Sequence, residues 1–457
     1  MRQRKAHLRG RVNGDLSLRF TGRGLTSYAG LELFRRYLTR LGFSRRLRRH
    51  LSECDPGGDF SSVAMVRLVV AMLLLGARRL RHVRYLAGDP MVERFCGLRA
   101  LPSERTVSRW LSRGLAPVRA ALLALTMELI GEHIRALRLR RLTLDVDGTV
   151  LSTGLKVERA FRGYNPHRRK VPSYYPISAH LAQTGHMLAV RNRSGNIHDG
   201  KASMPFLRDL FSQLSQQAPQ AILEIRLDGA FFRPETLSWL ERRAQYAVKV
   251  PFHPWLELKS LVRQRRRWKR ISHDIHGFET RLWIEPWQRT LRIAIYRKKV
   301  WHPTRKNYQL DLFSPDDGHW EYSAIATNKK VNLRTLWHFM AGRGLHEKVI
   351  GELKTGYAFD TIPTQNFAAN STWQILSTLA YNLVTSFQLA TGALPRPRTR
   401  KRTAHFILKR IATLRFELFH RAAILQRPQG RTTLTLARNL PTRKLFQRLL
   451  DKLAPAA

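Results

Sequence analysis

Three carboxylates stand in settings that could do chemistry: Asp147 in Leu144-Asp145-Val146-Asp147-Gly148-Thr149, Asp228 in Ile225-Arg226-Leu227-Asp228-Gly229, and Glu347 in Arg343-Gly344-Leu345-His346-Glu347. Acid is scarce in this chain, with 81 Lys and Arg against 32 Asp and Glu and a formal net charge of +49. An acid at the end of an apolar strand in such a background needs a reason, and metal binding supplies one. Three converging carboxylates repel one another and raise their own pKa values unless a cation neutralises them. Hard oxygen donors favour Mg²⁺ or Mn²⁺ over zinc. Two such ions about 4 Å apart can activate a water and stabilise the leaving oxygen of an in-line phosphodiester displacement. The expected chemistry is therefore phosphoryl transfer, with Asp147, Asp228 and Glu347 as both the catalytic residues and the ligands of a pair of Mg²⁺ or Mn²⁺ ions.

The elements that must position these acids can be read from periodicity and turn chemistry. Up to about residue 135, apolar positions recur at helical spacing, as in Leu31, Phe34, Leu38 and Leu41. Within that region, Pro102-Ser103 starts a short amphipathic stretch that carries Arg105, Arg109 and Arg113 near one face. This suits the recognition helix of a helix-turn-helix near 90–114, in which Arg105 and Arg109 contact DNA. Strand patterns follow at 141–150, 174–182 and 187–192, then a helix at 204–214, a strand at 221–227 ending on Asp228, a helix at 234–243 and a strand at 246–250. Three strands, a helix, a strand, a helix and a strand is the order of an RNase H-like domain, in which the fourth strand lies beside the first.

Residues 251–330 interrupt that order with short aromatic and β-branched runs, and Arg265, Arg266 and Arg267 form a charge run suited to DNA phosphates. Helical spacing resumes at Asn332 and continues through Lys354, and a second helix spans about 372–389. Pro395-Arg396-Pro397-Arg398 reads as a linker by composition, and residues 393–457 together hold 16 Lys and Arg against two acids.

On the first strand alternate residues share a face, so Asp145 and Asp147 point the same way and could share one site, with one of them spare. On the helix, spacings of four and seven stack Arg343, Glu347 and Lys354 on one side, so two cations flank an acid where a phosphate would lie. Taken alone, that pattern reads equally as a salt bridge on a solvated helix; the two upstream aspartates favour the catalytic reading.

The whole-chain numbers agree with a polyanion as partner. Neutralising phosphates with Lys and Arg supplies most non-specific affinity for nucleic acid, and 43% hydrophobic residues among 457 indicate a folded chain of more than one domain. Cys54 and Cys96 are the only cysteines, without the spacing of a zinc site or a disulfide framework. No apolar segment follows the basic start, and the longest apolar run, 68–77, is too short to cross a bilayer. The expectation is a cytoplasmic protein on the bacterial nucleoid with no membrane partner.

The pattern resembles the DDE transposases of insertion sequences, of the class with a β-rich insertion before the final Glu. The resemblance runs from about 95 to 440. It rests on Asp147 with Gly148-Thr149, on Gly163-Tyr164-Asn165-Pro166 and Gly195-Asn196-Ile197-His198, on Asp228, and on Leu379-Ala380-Tyr381-Asn382-Leu383. The family's Y-(2)-R-(3)-E-(6)-K motif maps onto Met340, Arg343, Glu347 and Lys354, with Met340 in place of the Tyr. This resemblance implies cut-and-paste transposition: binding of terminal inverted repeats, metal-dependent cleavage, joining of 3′-hydroxyl ends to target double-stranded DNA, and a homodimer in the synaptic complex. It also places Arg343 and Lys354 on DNA and Asn165 and Asn196 near the site. A catalytically silent, transposase-derived DNA-binding regulator is the alternative, and a nuclease that cuts without joining would keep the same site.

The expected fold is thus α/β: an RNase H-like core over 136–250 and 331–392, a β-rich insertion at 251–330, an all-α DNA-binding region at 1–135 and a basic helical C-terminal region at 393–457.

Overall fold

The structure, a computed structural model, describes residues 17–18, 20, 24–163, 165, 168, 170–300, 320–397 and 403–454. Tyr164, Pro166 and Arg398 of the segments noted above lie outside the described residues.

From Leu31 to Ala136 the chain is mostly helical, with Leu31–Arg40, Phe43–Leu51, Ser62–Leu74 and Pro90–Cys96 followed by α1 (Glu104–Ser112) and α2 (Ala116–Ala136). The starts are capped as the sequence dictates. Asp89 accepts from the N–H groups of Met91 and Val92, and Ser103 Oγ accepts from Thr106 N–H, satisfying donors that have no partner inside the helix. Helix α1 buries Val107, Trp110 and Leu111 and turns Arg105 and Arg109 to the surface. Residues 97–103 join Pro90–Cys96 to α1, a connection longer than the roughly three- to four-residue turn of a helix-turn-helix.

Seven elements then follow in the order read from sequence: β1 (Arg141–Gly148), β2 (Ile177–Leu181), β3 (Met187–Arg191), α3 (Met204–Gln217), β4 (Ile222–Leu227), α4 (Pro234–Glu241) and β5 (Gln245–Val250). In space the strands run β3-β2-β1-β4-β5. β2 is antiparallel to β1 and β3, β4 is parallel to β1, and β5 is parallel to β4. The fourth strand therefore lies beside the first, as an RNase H-like sheet requires. Leu142, Leu144 and Val146 of β1 enter one apolar core with Leu207, Leu210 and Leu214 of α3, which leaves Asp145 on the opposite face.

The insertion extends this sheet instead of forming a subdomain of its own. Its strands β6 (Lys269–Arg270), β7 (Ile275–Ile284), β8 (Arg289–Lys299) and β9 (Trp320–Thr327) continue the order as β5-β9-β8-β7-β6, all antiparallel, giving nine strands. An unpaired β5 would present a row of open N–H and C=O groups; β9 closes them, and Ala324 and Ala326 join the same core as Val248 and Val250.

Where one helix is expected from 332 to 354, the structure has two, α5 (Leu333–Ala341) and α6 (Gly344–Tyr357), followed by the long α7 (Phe367–Ala390). The C-terminal region also departs from a purely helical tail. Ala423–Gln426 and Thr433–Leu436 form a hairpin that pairs with Leu25–Thr26, ahead of α8 (Leu440–Leu453). Strict alternation in Thr433-Leu434-Thr435-Leu436 is strand patterning, which the basic composition around it obscures. Leu449 and Leu453 of α8 pack in one core with Leu31 and Phe34 and with Trp373 and Leu383 of α7, so the helix Leu31–Arg40 and α8 share one core. Among the described residues no single helix is long and apolar enough to cross a membrane.

Candidate active site

The parallel ladder between β1 and β4 sets Asp145 beside Arg226, and two residues further along each strand are Asp147 and Asp228. Two of the three expected acids are thus brought to neighbouring strand ends by register alone.

Asp145 belongs behind the site, not in it. It is fully buried, and Arg226 grips it through Nε (2.5 Å) and Nη2 (2.7 Å), with His180 Nδ1 at 3.2 Å. Burial works against its charge, but Arg226 and His180 outweigh that and hold the carboxyl below its usual range. Asp145 thus spends its oxygens on Arg226 and His180 and is the spare acid of the pair, beside Asp147. Its partner does further work: Arg226 Nη1 donates to Phe339 O at 2.7 Å and to Thr403 Oγ1 at 3.1 Å, capping the end of α5. A side-chain carbon at Gly342 would collide with that Nη1, so the glycine admits the guanidinium and the helix stops there.

This break aims the next helix. Arg343 occupies the N-cap of α6, with Nη2 2.7 Å from Asp147 Oδ2. His346 is buried against β2, with Nε2 3.3 Å from Ser178 Oγ and Nδ1 3.4 Å from His180 Nδ1. Burial, seconded by the charge of His180, pushes the His346 pKa down to about 3, so it is a neutral packing group at ordinary pH. Further along, Lys354 Nζ donates to Val150 O at 3.2 Å, and burial lowers its pKa. Lys354 thus pins α6 over the exit of β1.

Burial pushes the Asp147 carboxyl up to about 7; Arg343 opposes this, while the charges of Asp228 and Asp199 add to it. Arg343 is surrounded by acid. Burial works against its charge, but Asp147, Asp228, Asp145 and Glu347 outweigh that and raise its pKa. Its Nε and Nη2 are buried without a hydrogen bond among the described residues, so the contact of Nη2 with Asp147 is an ion pair by proximity. Asp228 Oδ1 accepts from Ala230 N–H at 3.0 Å, and Glu347 is exposed in the first turn of α6. Among the described residues no three of His, Cys, Asp and Glu stand together as a metal cluster, so the full convergence of Asp147, Asp228 and Glu347 is not formed. The donor chemistry still fits a hard divalent cation. Two aspartates at adjacent strand ends, each charge disfavouring the other, gain from a nearby positive charge, and the Arg343 guanidinium supplies one.

Sequence reasoning missed Asp199. It is buried and held by Arg193 and by Tyr175 Oη, which donates at 2.8 Å. Gly148 makes room for this pair: a Cβ there would lie 2.5 Å from Tyr175 Cζ and 2.6 Å from Asp199 Oδ2. An acid directly after Gly195-Asn196-Ile197-His198, in a chain so poor in acid, was the available signal.

The two glycine segments form one unit, since Gly163 packs directly on the backbone of Gly195 and Asn196. Asn165 is buried, with Nδ2 donating to Ser152 Oγ at 3.2 Å and Oδ1 accepting from Arg168 N–H at 3.0 Å, while Asn196 is exposed. Arg265, Arg266 and Arg267 are exposed just before β6, the outermost strand. Six strand intervals separate β6 from β1, roughly 29 Å, so this run is far from Asp147. Arg265 stacks on the Phe278 ring at 4.7 Å.

Among solved structures, the chain is similar to a piggyBac transposase synaptic complex with hairpin DNA determined by cryo-EM. The two share 12% identity with a TM-score of 0.44, over 87% of this chain and 82% of that one. A comparison with curated proteins found no match. Residues 10–457, almost the whole chain, match the family described as transposase DDE domain group 1. By that match the chain belongs to the DDE transposases.

Proposed function

We propose that this transposase binds the terminal inverted repeats of its own insertion sequence, cuts DNA by metal-dependent hydrolysis and joins the freed 3′-hydroxyl ends to target DNA. The observation that carries this reading is the placement of Asp147 and Asp228 at adjacent ends of parallel strands, with Arg343 and Glu347 on the helix above them. Asp147, Asp228 and Glu347 would hold Mg²⁺ or Mn²⁺, which when bound supplies charge neutralisation and an activated water for phosphodiester displacement.

The chain's own residues do the positioning. Arg343 leaves Asp147 for a DNA phosphate, a planar donor fork meeting an anion it matches, and this frees the carboxylate. The exposed Glu347 completes the set from the first turn of α6. Lys354 keeps α6 in register through Val150 O, and Tyr175 and Arg193 keep Asp199 oriented behind Asp147. Arg105, Arg109 and the remote run Arg265–Arg267 contact DNA away from the cut, and a homodimer pairs the two ends.

The test is Asp228→Asn with a labelled duplex carrying the repeat and a plasmid target. Cleavage and joining are lost while end binding stays within a few-fold of wild type. Loss of binding in this variant would contradict the separation of roles, and cutting without joining by the wild type would reduce the activity to that of a nuclease.

A further inference from the structure

Beside the C-terminal end of α6 lies an open cleft of about 1200 Å³ between residues 78–82, α1 and residues 361–363. Its cations fall into two groups. Arg78 is committed, with Nη2 2.7 Å from Asp360 Oδ1 and Nη1 donating to Lys354 O and Thr355 O at 3.0 and 2.9 Å. Glu104, the acid of the opposite wall, is taken by Arg84 at 3.1 Å. Arg79, Arg81 and Arg105 line the same cleft, are exposed, and their side chains make no ion pair or hydrogen bond among the described residues. Three uncompensated guanidinium groups converging on one cleft repel one another, and a polyanion relieves that repulsion. Ser108, one turn along α1 from Arg105, adds a hydroxyl to the cleft.

The position of the cleft names the polyanion. Arg78 ties it to the end of the helix whose first turn carries Glu347. Eight residues from Glu347 to Thr355 span roughly 12 Å at 1.5 Å per residue. That is about three to four base-pair rises of 3.4 Å. We propose that the cleft grips the sugar-phosphate backbone of duplex DNA at least about three base pairs from the cut phosphate, by charge and without reading sequence. The proposal rests on the DNA-cutting function above and assigns Arg79 and Arg81 a role alongside Arg105.

The experiment is a salt titration of duplex binding for full-length wild type, Arg79→Gln/Arg81→Gln and Arg79→Lys/Arg81→Lys. On repeat and scrambled duplexes alike, the glutamine pair lowers affinity on the order of tens-fold at 0.1 M salt and reduces the slope of log K against log salt by about two, while the lysine pair keeps the slope. Trimming the flanking DNA to two base pairs removes the difference between wild type and the glutamine pair. Equal binding and slope for the glutamine pair, with wild type binding and cutting normally, would overturn the cleft alone; a wild type that binds no duplex would remove the underlying function with it. Unfolding temperatures of all three proteins separate either outcome from loss of fold.

Discussion

At the N-terminal end of α6 a guanidinium stands where the proposed reaction would place a cation. Arg343 lies 2.7 Å from Asp147, a carboxyl that burial has pushed up to about 7. Removing the guanidinium leaves that carboxylate uncompensated, so metal competes with one positive charge fewer. Arg343→Gln is expected to raise the Mn²⁺ affinity of the DNA-free protein several-fold, the worth of one ion pair of about 1 kcal/mol. Calorimetry or Mn²⁺ spin resonance reads this directly, and unchanged or weaker affinity would contradict the competition. Single residues were unevenly legible. Asp147 and Asp228 stood out because each ends an apolar strand, and period-two alternation gave Asp145 the same face as Asp147. Alternation could not say that Arg226, the neighbour of Asp145 on another strand, would consume it.

Among the elements, the junction of α5 and α6 decides where Arg343 and Glu347 point. It is held open by Gly342, whose missing side chain admits Arg226 to the carbonyl of Phe339. Gly342→Ala forces one of the two to move. It is expected to cost about 1–3 kcal/mol in urea unfolding and to lower cleavage more than end binding, because the acid is displaced while the basic surface stays. A neutral effect on both stability and cleavage would show that the break does not position the helix. The same junction marks a limit of sequence reading. A lone glycine in a helical run is usually tolerated, and only the partner on β4 turns this one into a stop. By contrast, the order from β1 to β5 was readable, since each element carries its own period and its own turn residues.

At the scale of the whole molecule, the chain departs from separable regions. The insertion joins the central sheet through β9 and β5, and the C-terminal hairpin pairs with Leu25–Thr26 across most of the chain length. Neither pairing leaves a local trace, because strand patterns show that an edge exists but not which edge it meets. The excess of cation, +49 in all, spreads over this single assembly, while Asp147, Asp228, Asp145 and Glu347 all act on the one guanidinium of Arg343. The most direct measurement is cleavage of a linear duplex carrying the element's own end, in Mg²⁺, Mn²⁺ or EDTA, by wild type and Glu347→Gln side by side. Metal-dependent cutting by the wild type that disappears in the variant and in EDTA is the expected result. Binding of the end with no cutting in any metal would contradict the account and mark the chain as a silent DNA-binding regulator.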